Sequence, residues 1–127
     1  FELMMGIAIM GILVSLAVPS FQDYGRNTRV VAVQNDLITA FNYARSEAIR
    51  RSATVTVCAT SSFTGCGSAA NWSTGWFAFL DANSDGTRQV AEEILQLWRS
   101  AGDAEVTFIT GGTNPQRVTF TATGLVT

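Results

Sequence analysis

The sequence predicts an α+β fold in which one long N-terminal helix, half membrane-spanning and half amphipathic, packs on an antiparallel β head. Three observations predict it. Residues 1–18 are almost continuously apolar and carry a single charged side chain, Glu2. After Pro19 the apolar positions recur every three or four residues. From Ala53 onward short alternating or apolar runs are separated by Gly, Asn, Asp and Ser, the texture of strands and turns.

The first run, FELMMGIAIMGILVSLAV, would rise roughly 27 Å as a helix, close to the thickness of a bilayer core. A secretory signal peptide has a shorter apolar region, basic residues before it and a small-residue cleavage site after it; none of these flanks is present. A carboxylate set deep in such a helix costs roughly 2.5–3.5 kcal/mol on insertion scales. Glu2 therefore either reaches the headgroups or seeks a positive partner. Pro19 removes one backbone hydrogen bond and is expected to kink or loosen the helix.

Beyond Pro19, Val30, Val33, Leu37, Phe41, Ala44 and Ala48 form the helical apolar stripe, while Arg26, Arg29, Asp36, Arg45 and Arg50 fall mostly elsewhere. Residues 1–24 read as the membrane or filament-core segment and residues 25–127 as the head, including the second half of the helix. The runs TVTVCAT, WFAFL, EEILQLW, EVTFIT and RVTFTAT predict about five to seven antiparallel strands, with ITGGTNPQRV as a hairpin connection. The length allows one globular core beside the apolar segment.

Composition narrows the function. Eight arginines, no lysine and ten acidic residues give a net charge of −2, whereas nucleic-acid binders carry a basic surplus. The absence of histidine removes the commonest general base and zinc ligand, and no nucleophile, base and orienting group stand at recognisable spacing. The chain is therefore not expected to be an enzyme or to act on a small-molecule substrate.

Cys58 and Cys66 are the only cysteines. In an oxidising compartment they pair, closing a loop worth about 2–3 kcal/mol in the chain-entropy model. Two free buried thiols are the alternative, and a metal site lacks further ligands. In DANSDGTRQVAE, the residues Asp81, Asn83, Asp85, Gly86, Thr87 and Glu92 fall at the positions of an EF-hand calcium loop. The flanking runs read as strands rather than helices, and the same residues make ordinary β-turns. No cofactor is required, with calcium the one candidate. Trp72, Trp76 and Trp98 are expected in the core or at its rim, with stacking on a carbohydrate or a partner as the alternative. Arg45, Arg50 and Arg51 sit near the helix end, where cations favourably meet the negative end of the helix dipole.

The stretch FELMMGIAIMGILVSLAVP resembles the N-terminus of type IV pilins and type II secretion pseudopilins, with a glutamate near a phenylalanine and a proline part-way along the apolar run. LITAFNYARSEAIRRSATVTVC followed by WSTGWFAFLDANSDG resembles the heads of the GspH/FimT/FimU group of minor pilins and pseudopilins. Family members place three residues between a methylated phenylalanine and the glutamate. Here Glu2 follows Phe1 directly, so the expectation is that this chain starts a few residues late and that Phe1 is an internal aromatic.

The resemblance implies a structural subunit of a pilus or secretion pseudopilus, acting in filament initiation or at the tip, with other major and minor pilins or pseudopilins as partners. It implies an inner-membrane location with a periplasmic head before assembly, then the periplasmic or extracellular filament. Glu2 would pair with a neighbour's terminal amine, and Pro19, with Gly11 nearby, would mark where the helix loosens. An alternative from the same family is a DNA receptor for natural transformation using Arg45, Arg50, Arg51 and Arg117. The C-terminal stretch TATGLVT carries no arginine, which departs from the DNA-binding members.

Overall fold

A computed structural model of the 127-residue chain describes residues 1–67, 72–100 and 116–127, with the backbone but not the side chains of 16–23. The elements are helix α1 (Glu2–Arg51) and strands β1 (Val55–Ala59), β2 (Gly75–Leu80), β3 (Ile94–Arg99) and β4 (Arg117–Phe120). Two compact units result, Phe1–Gln34 and Asn35–Thr127. The expected strand EVTFIT and most of the ITGGTNPQRV connection lie outside the described residues.

In the second unit α1 ends on a Schellman motif, with Ala53 N–H bonded to Ala48 O at 3.1 Å and Ser52 N–H to Ile49 O at 3.2 Å. Ser52 takes the left-handed position at φ 50° that glycine more often fills. The motif turns the chain into β1.

The strands form one antiparallel sheet in the order β3-β2-β1-β4. Register sorts the side chains onto two faces. Val55, Val57, Ala59, Trp76, Ala78, Trp98 and Phe120 share one, and Thr56, Cys58, Phe77, Phe79, Leu97, Arg117 and Thr119 share the other.

The helix covers the first face. Phe41 meets Trp72 edge-on at 6.0 Å and Phe120 at 6.3 Å, and Tyr43 meets Trp98 at 5.6 Å between ring centroids. Ala40, Ala44 and Ala48 have no exposed surface, so the helix presents methyl groups where approach is tightest. The expected stripe holds at Val33, Ala44 and Ala48, with Leu37 and Phe41 half-buried, but not at Val30, which is exposed. Glu47 is buried as well, for a reason the apolar pattern does not contain. Trp72 and Trp76 are buried and Trp98 is half-buried.

The second face is covered by loops. Cys58 and Cys66 form a disulfide, Cα to Cα 5.5 Å, which sets Cys66 against Phe77 and Phe79. The Thr60 hydroxyl shapes this loop by donating to Gly65 O and accepting from Ser62 and Phe63 N–H. Gly75 opens β2 at φ 148°; a Cβ there would lie 2.7 Å from Trp98 O and 2.8 Å from the Phe63 ring, so only glycine fits. Because both faces are covered, every residue of β1 is buried although TVTVCAT reads as one-sided alternation.

Two outcomes are expected from this packing. Ala44→Leu should overfill the helix–sheet contact and lower stability by about 1–3 kcal/mol, read as a lower denaturant midpoint at unchanged slope. The oxidised protein should be lighter than its reduced form by two hydrogens in mass spectrometry, and reduction should remove about 2–3 kcal/mol. Two alkylatable thiols in native protein would contradict the second expectation.

Candidate functional site

Three groups of residues carry the chemistry expected of this chain: the apolar helix with Glu2, the acidic loop after β2, and the arginines. Within the unit Phe1–Gln34, Glu2 occupies the first turn of α1, where unpaired backbone N–H groups favour a carboxylate. Residues 1–15 are all exposed, including ten large apolar side chains from Phe1 to Val14. The hydroxyls along this helix are bonded back to it, Ser15 Oγ donating to Ile12 O at 2.7 Å and, further on, Thr28 Oγ1 donating to Tyr24 O at 2.9 Å. Such back-bonding lets a hydroxyl sit in an apolar surrounding.

Helix α1 is continuous through Pro19; the local loosening expected there concerns residues whose side chains lie outside the described set. Among the described residues no helix is long and apolar enough to cross a membrane. The apolar run expected to do so extends into residues 16–23, outside that set.

The acidic loop joins β2 to β3, so strands flank it as the sequence suggested. Asp81 is 1% exposed and organises it. Its Oδ1 accepts the Asp85 N–H at 3.1 Å, and its Oδ2 accepts the Gly86 N–H and the Thr56 hydroxyl, both at 2.8 Å. Glu92 closes the other end, accepting Ala82 N–H at 3.0 Å and Gln89 N–H at 2.8 Å. Asp85 accepts the Thr87 N–H and the side-chain amides of Asn83 and Gln89. The Thr87 N–H bond, then the one from Asn83, holds the Asp85 carboxyl below its usual range.

Gly86 turns the loop at φ 71°. A Cβ there would meet Arg117 at 2.7 Å, because Arg117 Nη1 lies over the loop, donating to Asp85 O at 3.1 Å and Thr87 Oγ1 at 3.2 Å. The side-chain oxygens of Asp81, Asn83, Asp85 and Glu92 expected to ligate calcium thus already accept hydrogen bonds, and a cation would have to displace some of them; at Thr87 the hydroxyl accepts from Arg117. Among the described residues no group of three or more His, Cys, Asp or Glu side chains is placed to hold a metal.

The arginines are shared among separate tasks. Arg50 grips Glu47 through Nε at 3.0 Å and Nη2 at 2.6 Å, and Arg51 Nε reaches the same carboxylate at 2.9 Å. Arg51 Nη1 also bonds Glu93 at 3.0 Å, joining the helix end to the approach to β3. Arg45 reaches the turn at Gly124. The hydrogen bonds from Arg50 and then Arg51 hold Glu47 below the usual carboxylate range.

This network was legible in part, because Glu47 stands three and four residues before Arg50 and Arg51. The chain from Thr119 through Thr56 to Asp81 was not. It joins β4, β1 and the loop, and its only local sign is a threonine between two valines.

The sequence model of a family described as type II transport protein GspH matches residues 33–127. No curated protein and no solved structure matches.

Acid should weaken the head through two carboxyls. Glu47 and Asp85 both sit below their ordinary values, so each contributes stability that is complete above the unfolded-state pKa, about 4, and is lost as pH falls through the lower folded value. The melting temperature should stay level from neutrality to about pH 5 and drop below about pH 4. Glu47→Gln should melt lower at neutrality and converge with the wild type in acid; parallel curves would remove Glu47 from the effect.

Proposed function

The chain belongs to the type II transport protein GspH family, and on that premise we propose that it is a structural filament subunit, a pseudopilin or minor pilin that acts in filament initiation or at the tip. The observation that carries this reading is the exposed apolar helix. Ten large apolar side chains between Phe1 and Val14 face outward. At about 1.5–3 kcal/mol each, burying them is worth roughly 15–30 kcal/mol, more than a typical domain's net stability.

A surface of that kind requires an apolar surrounding. In this reading lipid supplies it before assembly, in the bacterial inner membrane, and the helices of neighbouring pilins or pseudopilins supply it afterwards. Glu2 is the one charge in the run and needs a cation once water is gone. A neighbour's terminal amine answers that need, and methylation of that amine would leave its charge in place. The Cys58–Cys66 disulfide fits a head in the periplasm or outside the cell. Family membership supports a structural rather than catalytic role.

The DNA-receptor alternative has less support. Arg50 and Arg51 are engaged by Glu47 and Glu93.

Glu2→Ala should ease membrane insertion yet reduce assembly, leaving membrane levels unchanged while incorporation into sheared filaments falls. Glu2→Gln keeps the shape but loses the charge and should show a similar defect. Normal incorporation of both variants at wild-type membrane levels would remove Glu2 from assembly.

A further inference from the structure

On the loop-covered face of the sheet, beside the acidic loop, lies an open cleft of about 380 Å³, lined in part by Thr54, Ser84, Asp85, Arg117, Thr119 and Thr121. Arg117 is fixed at its rim by Nη1 alone, one bond going to Asp85 O and one to Thr87 Oγ1. Its Nε and Nη2, the pair that forms the side-on planar fork, have no bond among the described residues. That fork matches the two oxygens of a carboxylate.

The rest of the lining adds a hydroxyl donor. Ser84 Oγ donates to Thr54 Oγ1 at 2.9 Å, which leaves the Thr54 proton free for another acceptor. Thr119 has no such freedom. Thr56 gives its proton to Asp81, so in the 2.9 Å contact between the two threonines Thr119 is the donor. Asp85 is the acidic side chain in the lining, and both its oxygens already accept bonds from within the loop.

We propose that this cleft receives a carboxylate, held by the Arg117 fork and the Thr54 hydroxyl. Its volume accommodates one acidic side chain or a small free acid. The loop bonds that occupy Nη1 prepare the fork in advance, so little side-chain freedom is lost on binding. The inference does not depend on the filament reading, since it concerns only the head and would hold in any assembly.

Amide NMR of the full chain in neutral detergent micelles tests it, with sodium malonate as the free acid, a blocked Gly-Asp-Gly peptide as the presented side chain, and blocked Gly-Asn-Gly as the uncharged control. At least one acidic probe should saturably shift the Thr54, Ser84 and Thr119 amides, and the Asn peptide should not. Malonate alone acting assigns a free acid, and the Asp peptide acting more strongly assigns a side chain. Arg117→Gln should weaken binding at least about tenfold, with Arg117→Lys in between. Because Arg117 also braces the loop, Thr54→Val gives a second reading, an expected loss of about two- to fivefold with the fork intact. The proposal is overturned by no saturable shift with either acid, by equal shifts from the Asn peptide, or by unchanged binding in Arg117→Gln or Thr54→Val.

Discussion

Strands β1 and β2 lie in the middle of the sheet with both faces out of water, so two separate layers must cover them. The helix supplies one through Ala40, Ala44, Ala48 and the rings of Phe41 and Tyr43. No second helix exists among the described residues to supply the other, and a small domain has little chain to spare. Two loops take its place. A disulfide pins one of them against Phe77 and Phe79, and the buried carboxylate of Asp81 pins the other to Thr56 in the sheet.

Loops can act as a layer only if their backbone polar groups are answered, because an unpaired buried N–H costs about as much as a lost hydrogen bond. Asp81 and Glu92 between them accept four backbone N–H groups of the acidic loop. This gives the spacing of acidic residues a structural explanation beside the cation-binding one. The same bonds place the Asp85 carbonyl and the Thr87 hydroxyl where Arg117 can reach them, so a feature needed for coverage also sets the geometry of the cleft.

The two units therefore stand in contrast. In the head, large apolar side chains of the central strands are buried and the acidic loop's carboxylates are bonded. Along residues 1–15 the reverse holds, with the apolar side chains outward and the Ser15 hydroxyl bonded back to its own helix. The head thus covers its central strands with its own chain, whereas the apolar side chains of residues 1–15 stay outward.

Local pattern was enough for much of this. Period fixed the helix and the strands at TVTVCAT, WFAFL, EEILQLW and RVTFTAT, since helical and strand spacing each follow from backbone geometry alone. The apolar character of residues 1–18, the lone Glu2 and the Cys58–Cys66 spacing were also readable from the chain. The tertiary structure decided which face each strand residue serves and why Glu47 is buried. It also decided that Thr54, Arg117 and Ser84, from three different segments, line one cleft. Those facts depend on strand order and register, which bring together residues far apart in sequence, and no local period encodes a pairing at a distance.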